Sequence, residues 1–208
     1  MSSAGPDESP GAYGLSRPNL AVKITLFRIA VVPMVVILMY CVESDRFGHG
    51  DMLFSWIAFL LFTVAGFSDV LDGVLARKYN MVTPLGALLD PLADKILALA
   101  VMVMLTAMGR IPAWLTILLL ARETAVTGLR GIAGVEKVVI PAGLAAKWKT
   151  VTQMVGLGGM ILVKPYWGFD FGFWGMALLY ISLILSLYSG VDYYRKYLRQ
   201  ILATVPSA

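Results

Sequence analysis

The chain has 208 residues, 59% of them hydrophobic and 14% charged, with a mean hydropathy of +0.78. Soluble domains hold roughly 45–50% apolar residues, so this composition argues against a soluble globular fold and for a membrane protein. Seventeen bases against 13 acids give a net charge of +4, which suits membrane orientation and attraction to anionic lipid; nothing else in the sequence supports a nucleic-acid partner.

Residues 1–18 are rich in Ser, Gly and Pro and carry Asp7 and Glu8 before any base, unlike the basic start of a signal peptide. They predict a disordered tail. A spanning helix needs about 20 mostly apolar residues, and six stretches qualify: 20–42, 52–76, 84–108, 111–131, 149–163 extended toward its N-terminal side, and 171–194. The expected fold is therefore an all-α integral membrane protein with six transmembrane helices. It forms one domain over residues 19–199, followed by a short tail at 200–208. Cys41 is the single cysteine, which rules out an intramolecular disulfide.

An even number of spans puts both termini on one side, and the bases choose the side. Of the 17 Lys and Arg, only Arg46, Arg110 and Lys164 fall on the opposite side and Lys95 falls within a span. By the positive-inside bias both termini should be cytoplasmic. Trp56, Trp114, Trp148, Trp167 and Trp174 lie near span ends, as interfacial anchors do. His49 sits in an outward loop among Asp45, Arg46 and Asp51 and predicts a solvated side chain.

The second and third stretches hold the unusual feature. Asp69, Asp72, Asp90 and Asp94 occur inside apolar helices, where an isolated charge costs roughly 2.5–3.5 kcal/mol on insertion scales. Asp69 and Asp72 are three apart, Asp90 and Asp94 four apart, so each pair shares a helix face. Small residues Gly73, Ala76 and Gly86 accompany them. A short polar turn joins the two helices, Thr83 and Pro84 mark the start of the third, and Pro91 should bend it beside its acids. At about 1.5 Å per residue, Asp69 lies roughly 26 Å along its helix and Asp90 and Asp94 about 9 and 15 Å into theirs. All four belong to the cytoplasmic half.

Four carboxylates carry a formal charge that two divalent cations would neutralise. Oxygen donors with no His or Cys nearby favour Mg²⁺ or Mn²⁺ over zinc, and a cation pair suits phosphoryl transfer. Structural ion pairs to Lys95, Arg77 and Arg122 are the bland alternative; a cation or proton transporter is the other. A transporter needs access from both sides and often repeats its broken helices in both halves, whereas these acids crowd one side without a counterpart.

The residues Asp69, Asp72, Gly73, Ala76, Arg77, Gly86, Asp90 and Asp94 fit the D-x₂-D-G-x₂-A-R-x₈-G-x₃-D-x₃-D signature without a departure. In this the chain resembles the CDP-alcohol phosphotransferase family. Further segments are similar to those of bacterial members: Asn19, Thr25, Arg28 and Pro33 in the first helix; Arg122, Glu123 and Arg130 in the fourth; Lys147, Lys149, Thr150 and Gln153 in the fifth. Ala146 stands where a glycine often precedes the first of these lysines.

The resemblance implies transfer of a phosphatidyl group from CDP-diacylglycerol to an alcohol with release of CMP, in a multi-pass protein of the cell inner membrane, often a homodimer. It implies that Asp69, Asp72, Asp90 and Asp94 hold two metals and that Asp94 is also the general base. It assigns Asp72, Gly73, Ala76, Arg77 and Thr83 to the cytidine diphosphate group, with Gly86 keeping the facing helix clear. Arg122, Arg130, Lys147 and Lys149 remain to clamp an acceptor phosphate from the cytosol, and glycerol 3-phosphate is such an acceptor. Inositol phosphate or phosphatidylglycerol is the alternative acceptor within the family. Lys137, Arg195, Lys196 and Arg199 fit orientation better than binding, and Arg28 suits either the donor site or an anchor for the first helix.

Overall fold

The computed structural model describes the backbone over residues 20–43, 51–79, 84–135, 143–162 and 168–204, and side chains over 27–43, 52–67, 95–134, 143–162 and 168–200. Six helices follow in chain order: α1 Leu20–Glu43, α2 Asp51–Tyr79, α3 Pro84–Ala107, α4 Ala113–Val135, α5 Leu144–Ile161 and α6 Phe171–Thr204. The expected all-α, six-helix architecture is present. Helix α3 continues through position 91 in spite of its proline.

Helix α6 departs most from expectation, running ten residues past the predicted end of its apolar stretch and into the segment read as a tail. The expected apolar stretch stops at residue 194, just before the charged Arg195 and Lys196. Instead they continue the helix, where Lys196 Nζ donates to Asp192 Oδ2 one turn back at 2.6 Å and Tyr197 is buried.

Each helix buries a stripe set by its period. In α1 this is Arg28, Val31, Val35, Met39 and Val42; in α2, Ser55, Ala58, Phe62 and Ala65; in α3, Leu97, Val101, Met102 and Leu105. The spacings of three and four keep one face toward the neighbours. Helix α1 lies against both α2 and α3, while direct packing of α2 on α3 is slight among the described contacts. Helices α5 and α6 share the most extensive interface, and α4 packs on α6. Arg28 is 1% exposed, so it faces the bundle interior.

Several polar side chains are set within the apolar core, and large apolar ones face outward. Arg28, Thr116, Lys149, Gln153, Ser182, Ser186 and Ser189 are buried, while Ile37, Leu53, Leu60, Ile117, Phe173 and Ile184 are each more than 60% exposed. An apolar exterior suits lipid surroundings. Among the described residues, α6 alone carries a stretch long and apolar enough to cross a membrane, Phe171–Gln200, with Met52–Phe67 and Lys95–Ala107 as shorter apolar helices. Helices α4 and α5 are less apolar because they carry Arg122, Glu123, Arg130, Lys147 and Lys149. Trp114 stacks on Tyr180 and is half exposed, as are Trp148 and Trp174. His49 and Trp167 lie outside the described residues.

Glycine sets the α5–α6 contact. A Cβ built on Gly175 would lie 2.8 Å from the Gly156 carbonyl oxygen and 3.0 Å from the Met160 nitrogen; one on Gly159 would lie 2.9 Å from the Phe171 carbonyl oxygen. The two backbones touch, as small residues allow in membrane helices. At the C-terminal end of α5 the Arg110 guanidinium donates through Nη1 to the carbonyls of Met160 at 3.0 Å and Ile161 at 3.4 Å, satisfying acceptors that a helix end leaves open. Burial lowers the Arg110 pKa, with the Glu43 charge opposing it; an arginine remains cationic through such a shift.

Candidate functional site

A cavity of about 550 Å³ opens between the later part of α4, the start of α5 and the C-terminal part of α6. Arg122, Arg130, Lys147 and Lys149 all line it, together with Glu123, Ser189, Asp192, Tyr193 and Lys196. Its walls therefore carry five bases and two acids, a surplus of three positive charges. The four bases proposed from the sequence to clamp a phosphate share one concavity, although they come from two helices and span residues 122–149 of the chain.

Each base is held differently. Arg122 donates through Nε to the Ser186 carbonyl at 2.7 Å and through Nη2 to Ser189 Oγ at 2.5 Å. A guanidinium has five N–H donors, so three have no partner among the described residues. Lys149 is 4% exposed and its Nζ donates to Glu123 Oε2 at 2.7 Å; the ammonium keeps two further protons. That pair makes the buried cation tolerable, and removing the glutamate would strand it. The Arg130 guanidinium carbon lies 5.8 Å from the Tyr193 ring centroid, a cation–π distance. Lys147 is exposed and makes no ion pair among the described residues.

The acid-bearing helix reaches the same region. Lys95, the residue after Asp94, donates through Nζ to Thr127 Oγ1 at 2.5 Å, and Thr127 in turn donates to the Glu123 carbonyl at 2.8 Å. The described part of α3 is thus bonded to the α4 turn that supplies Arg122, Glu123 and Arg130.

Asp69, Asp72, Gly73, Ala76 and Arg77 lie in α2, and Gly86, Asp90 and Asp94 lie in α3. Their side chains, together with Thr83 and Lys137, lie outside the described residues. Among the described residues no cluster of three or more His, Cys, Asp or Glu could hold a metal. The donor chemistry of the four aspartates, all hard carboxylate oxygen, fits Mg²⁺ or Mn²⁺.

The family model for CDP-alcohol phosphatidyltransferase matches residues 18–188 of this chain. The chain belongs to the CDP-alcohol phosphatidyltransferase family. It is 36% identical over 183 residues to a CDP-diacylglycerol–glycerol-3-phosphate 3-phosphatidyltransferase of Bacillus subtilis, covering 86% of this chain and 94% of the relative. Proteins of the same name from Rickettsia typhi, at 35% identity over 178 residues, and Haemophilus influenzae, at 34% over 183, cover 85% and 84% of this chain and 96% and 91% of their own lengths.

Among the pocket residues of this CDP-alcohol phosphatidyltransferase, Ser189, Asp192, Tyr193 and Lys196 follow the matched range. The sequence places no α6 residue among the expected site residues, and for Lys196 it favours orientation over binding. A signal was present: Ser182, Ser186 and Ser189 fall at intervals of four and three in an apolar run. They are all buried, a polar stripe turned toward α4 and α5. Ser182 Oγ donates to the Lys149 carbonyl at 3.1 Å, so this stripe also holds α5 where it carries its buried base.

Proposed function

We propose that this chain transfers the phosphatidyl group of CDP-diacylglycerol to glycerol 3-phosphate, giving phosphatidylglycerophosphate and CMP. The observation that carries the acceptor is the gathering of Arg122, Arg130, Lys147 and Lys149 around one cavity, bonded through Thr127 to the residue that follows Asp94. A phosphate monoester has oxygens for the free N–H groups of Arg122 and the ammonium protons of Lys149. Clamped there, it can present its distant hydroxyl toward the segment carrying the aspartates.

In the proposed reaction the acceptor hydroxyl oxygen attacks the phosphorus that bears diacylglycerol, and the bond from that phosphorus to the CMP oxygen breaks. Asp94 takes the hydroxyl proton as the new bond forms. Asp69, Asp72, Asp90 and Asp94 would hold two divalent cations, Mg²⁺ or Mn²⁺, which supply neutralisation of the pyrophosphate and of the charge growing on CMP. Asp72, Gly73, Ala76, Arg77 and Thr83 position the cytidine diphosphate, and Gly86 leaves it room.

The proposed enzyme is a multi-pass homodimer of the cell inner membrane, with six spans, both termini in the cytoplasm and the site facing the cytosol. Its donor keeps both acyl chains in lipid while its head group meets a soluble acceptor, which requires a site near the inner interface. The alternating directions of six spans bring 95 on α3, 122–130 on α4, 147–149 on α5 and 189–196 on α6 toward that interface.

Arg122→Ala and Lys149→Met should each raise the KM for glycerol 3-phosphate about 10- to 100-fold, the factor for losing a charged hydrogen bond or two. The KM for CDP-diacylglycerol should stay within about twofold. Steady-state kinetics in detergent with each substrate varied checks this, and an unchanged acceptor KM in both variants would refute the phosphate assignment.

A further inference from the structure

We infer that α6 supplies positioning residues for the acceptor phosphate: Ser189, with the Ser186 carbonyl and the gap at Gly190, fixes the guanidinium of Arg122 in the plane that receives the ligand. The inference rests on the proposed role of Arg122 and extends it to Ser189 and Gly190, which follow the family-matched range.

Three observations support it. First, the hydrogen bonds close a ring. The Ser186 carbonyl accepts from Arg122 Nε at 2.7 Å and from Ser189 Oγ at 3.1 Å, while Ser189 Oγ accepts from Arg122 Nη2 at 2.5 Å. Two anchors on one edge of a planar fork determine where its opposite edge points; a single anchor leaves rotation about that bond. Second, the arginine lies close over a glycine. A Cβ on Gly190 would stand 3.3 Å from Arg122 Nε and 3.6 Å from its Cγ, so any side chain there presses on the guanidinium stem. Third, Ser186 and Ser189 are 0% and 8% exposed, so the ring is shielded and water competes poorly for its bonds. The remaining N–H groups of Arg122 belong to a residue that lines the cavity.

A helix that only filled space would need no hydroxyl at position 189. In a lipid-embedded helix a buried serine is kept at a cost unless its oxygen is used, and here it is used as donor and as acceptor. The stripe holds the arginine before any ligand arrives, which lowers the ordering that binding must otherwise supply. Its effect should fall on acceptor affinity and leave the donor site unchanged.

The test is steady-state kinetics on the full-length protein in detergent for Ser189→Ala, Ser189→Thr, Gly190→Ala, Arg122→Ala and the Arg122→Ala/Ser189→Ala double variant, with melting temperatures measured alongside. Ser189→Ala should raise the KM for glycerol 3-phosphate about three- to tenfold, with the KM for CDP-diacylglycerol unchanged. Ser189→Thr keeps the hydroxyl and should stay within about twofold of the parent, whereas Gly190→Ala should raise the acceptor KM by about tenfold. In the Arg122→Ala background the serine change should add nothing, because residues that act through one another are not additive. An unchanged acceptor KM in Ser189→Ala beside a raised one in Arg122→Ala overturns this inference alone. A lowered melting temperature with unchanged acceptor KM overturns it too, making the ring structural. An unchanged acceptor KM in Arg122→Ala removes Arg122 from phosphate binding and the inference with it; if Lys149→Met is unchanged as well, the phosphate assignment itself falls.

Discussion

Asp94→Asn should reduce turnover by about 10²- to 10⁴-fold, the range that a positioned general base contributes. The substitution keeps the size of the side chain but removes its ability to take a proton and one carboxylate from the set of four. The loss should be seen in kcat at saturating CDP-diacylglycerol and glycerol 3-phosphate. The KM for glycerol 3-phosphate should move little, since the residues proposed to clamp its phosphate stand on α4 and α5. The variant should fold: Lys95 keeps its bond to Thr127, and one polar-for-charged exchange inside an apolar helix lowers the insertion cost. Activity within about threefold of the parent would remove Asp94 from the proton-accepting role.

The second large effect is structural. Gly175→Leu should leave little or no folded protein, because the Cβ of the new side chain already overlaps the backbone of α5. The nearest atoms to a Cβ there are the Gly156 carbonyl oxygen at 2.8 Å, the Met160 nitrogen at 3.0 Å and the Gly159 carbonyl carbon at 3.2 Å. These are backbone atoms, so no rotamer change relieves the overlap and the helices must separate. Gly175→Ala should already cost about 1–3 kcal/mol by overpacking. Separation would also disturb the bond from Ser182 to the Lys149 carbonyl, so the alanine variant should bind the acceptor more weakly as well as melt earlier. Size-exclusion and thermal melting in detergent check both variants. A leucine variant that elutes and melts like the parent would contradict the close-contact description.

The same glycine contact shows what could be read from the sequence and what could not. In the sequence Gly156 and Gly159, three apart, offer a surface for close packing that suits a partner copy as well as another helix of the same chain. The structure uses it internally against Gly175, and no local pattern announces a partner that lies in the next helix, beyond a loop. The six helices were legible because each is a long apolar run, and their starts at Leu20, Pro84 and Phe171 were placed directly. The end of α6 was misplaced because charge suggested a loop, whereas Asp192 and Lys196, four residues apart, support the helix locally. The aspartate signature was legible because fixed spacings on two helices carry it. The α6 wall was not, because serine in a membrane helix is ordinary, and only its contact with Arg122 distinguishes Ser189.

The bases tell a similar story. Arg122 stood out by interrupting an apolar run, and the pocket includes it. Lys196 was grouped with Arg195 and Arg199 as an orientation signal, yet it lines the same cavity through a turn of α6 that the expected helix did not include. Orientation and binding are compatible uses of a base near the inner interface, so counting loop charges cannot separate them. Position on a shared wall can.

The most direct measurement of the central claim is product formation by the purified full-length protein in detergent. It uses CDP-diacylglycerol labelled in its phosphatidyl group, a panel of acceptors comprising glycerol 3-phosphate, inositol phosphate and phosphatidylglycerol, and either Mg²⁺, Mn²⁺ or a chelator. The account predicts labelled phosphatidylglycerophosphate and an equal amount of CMP with glycerol 3-phosphate, and none once the divalent cation is removed. Turnover that persists in chelator, or transfer to another acceptor in preference to glycerol 3-phosphate, would contradict it.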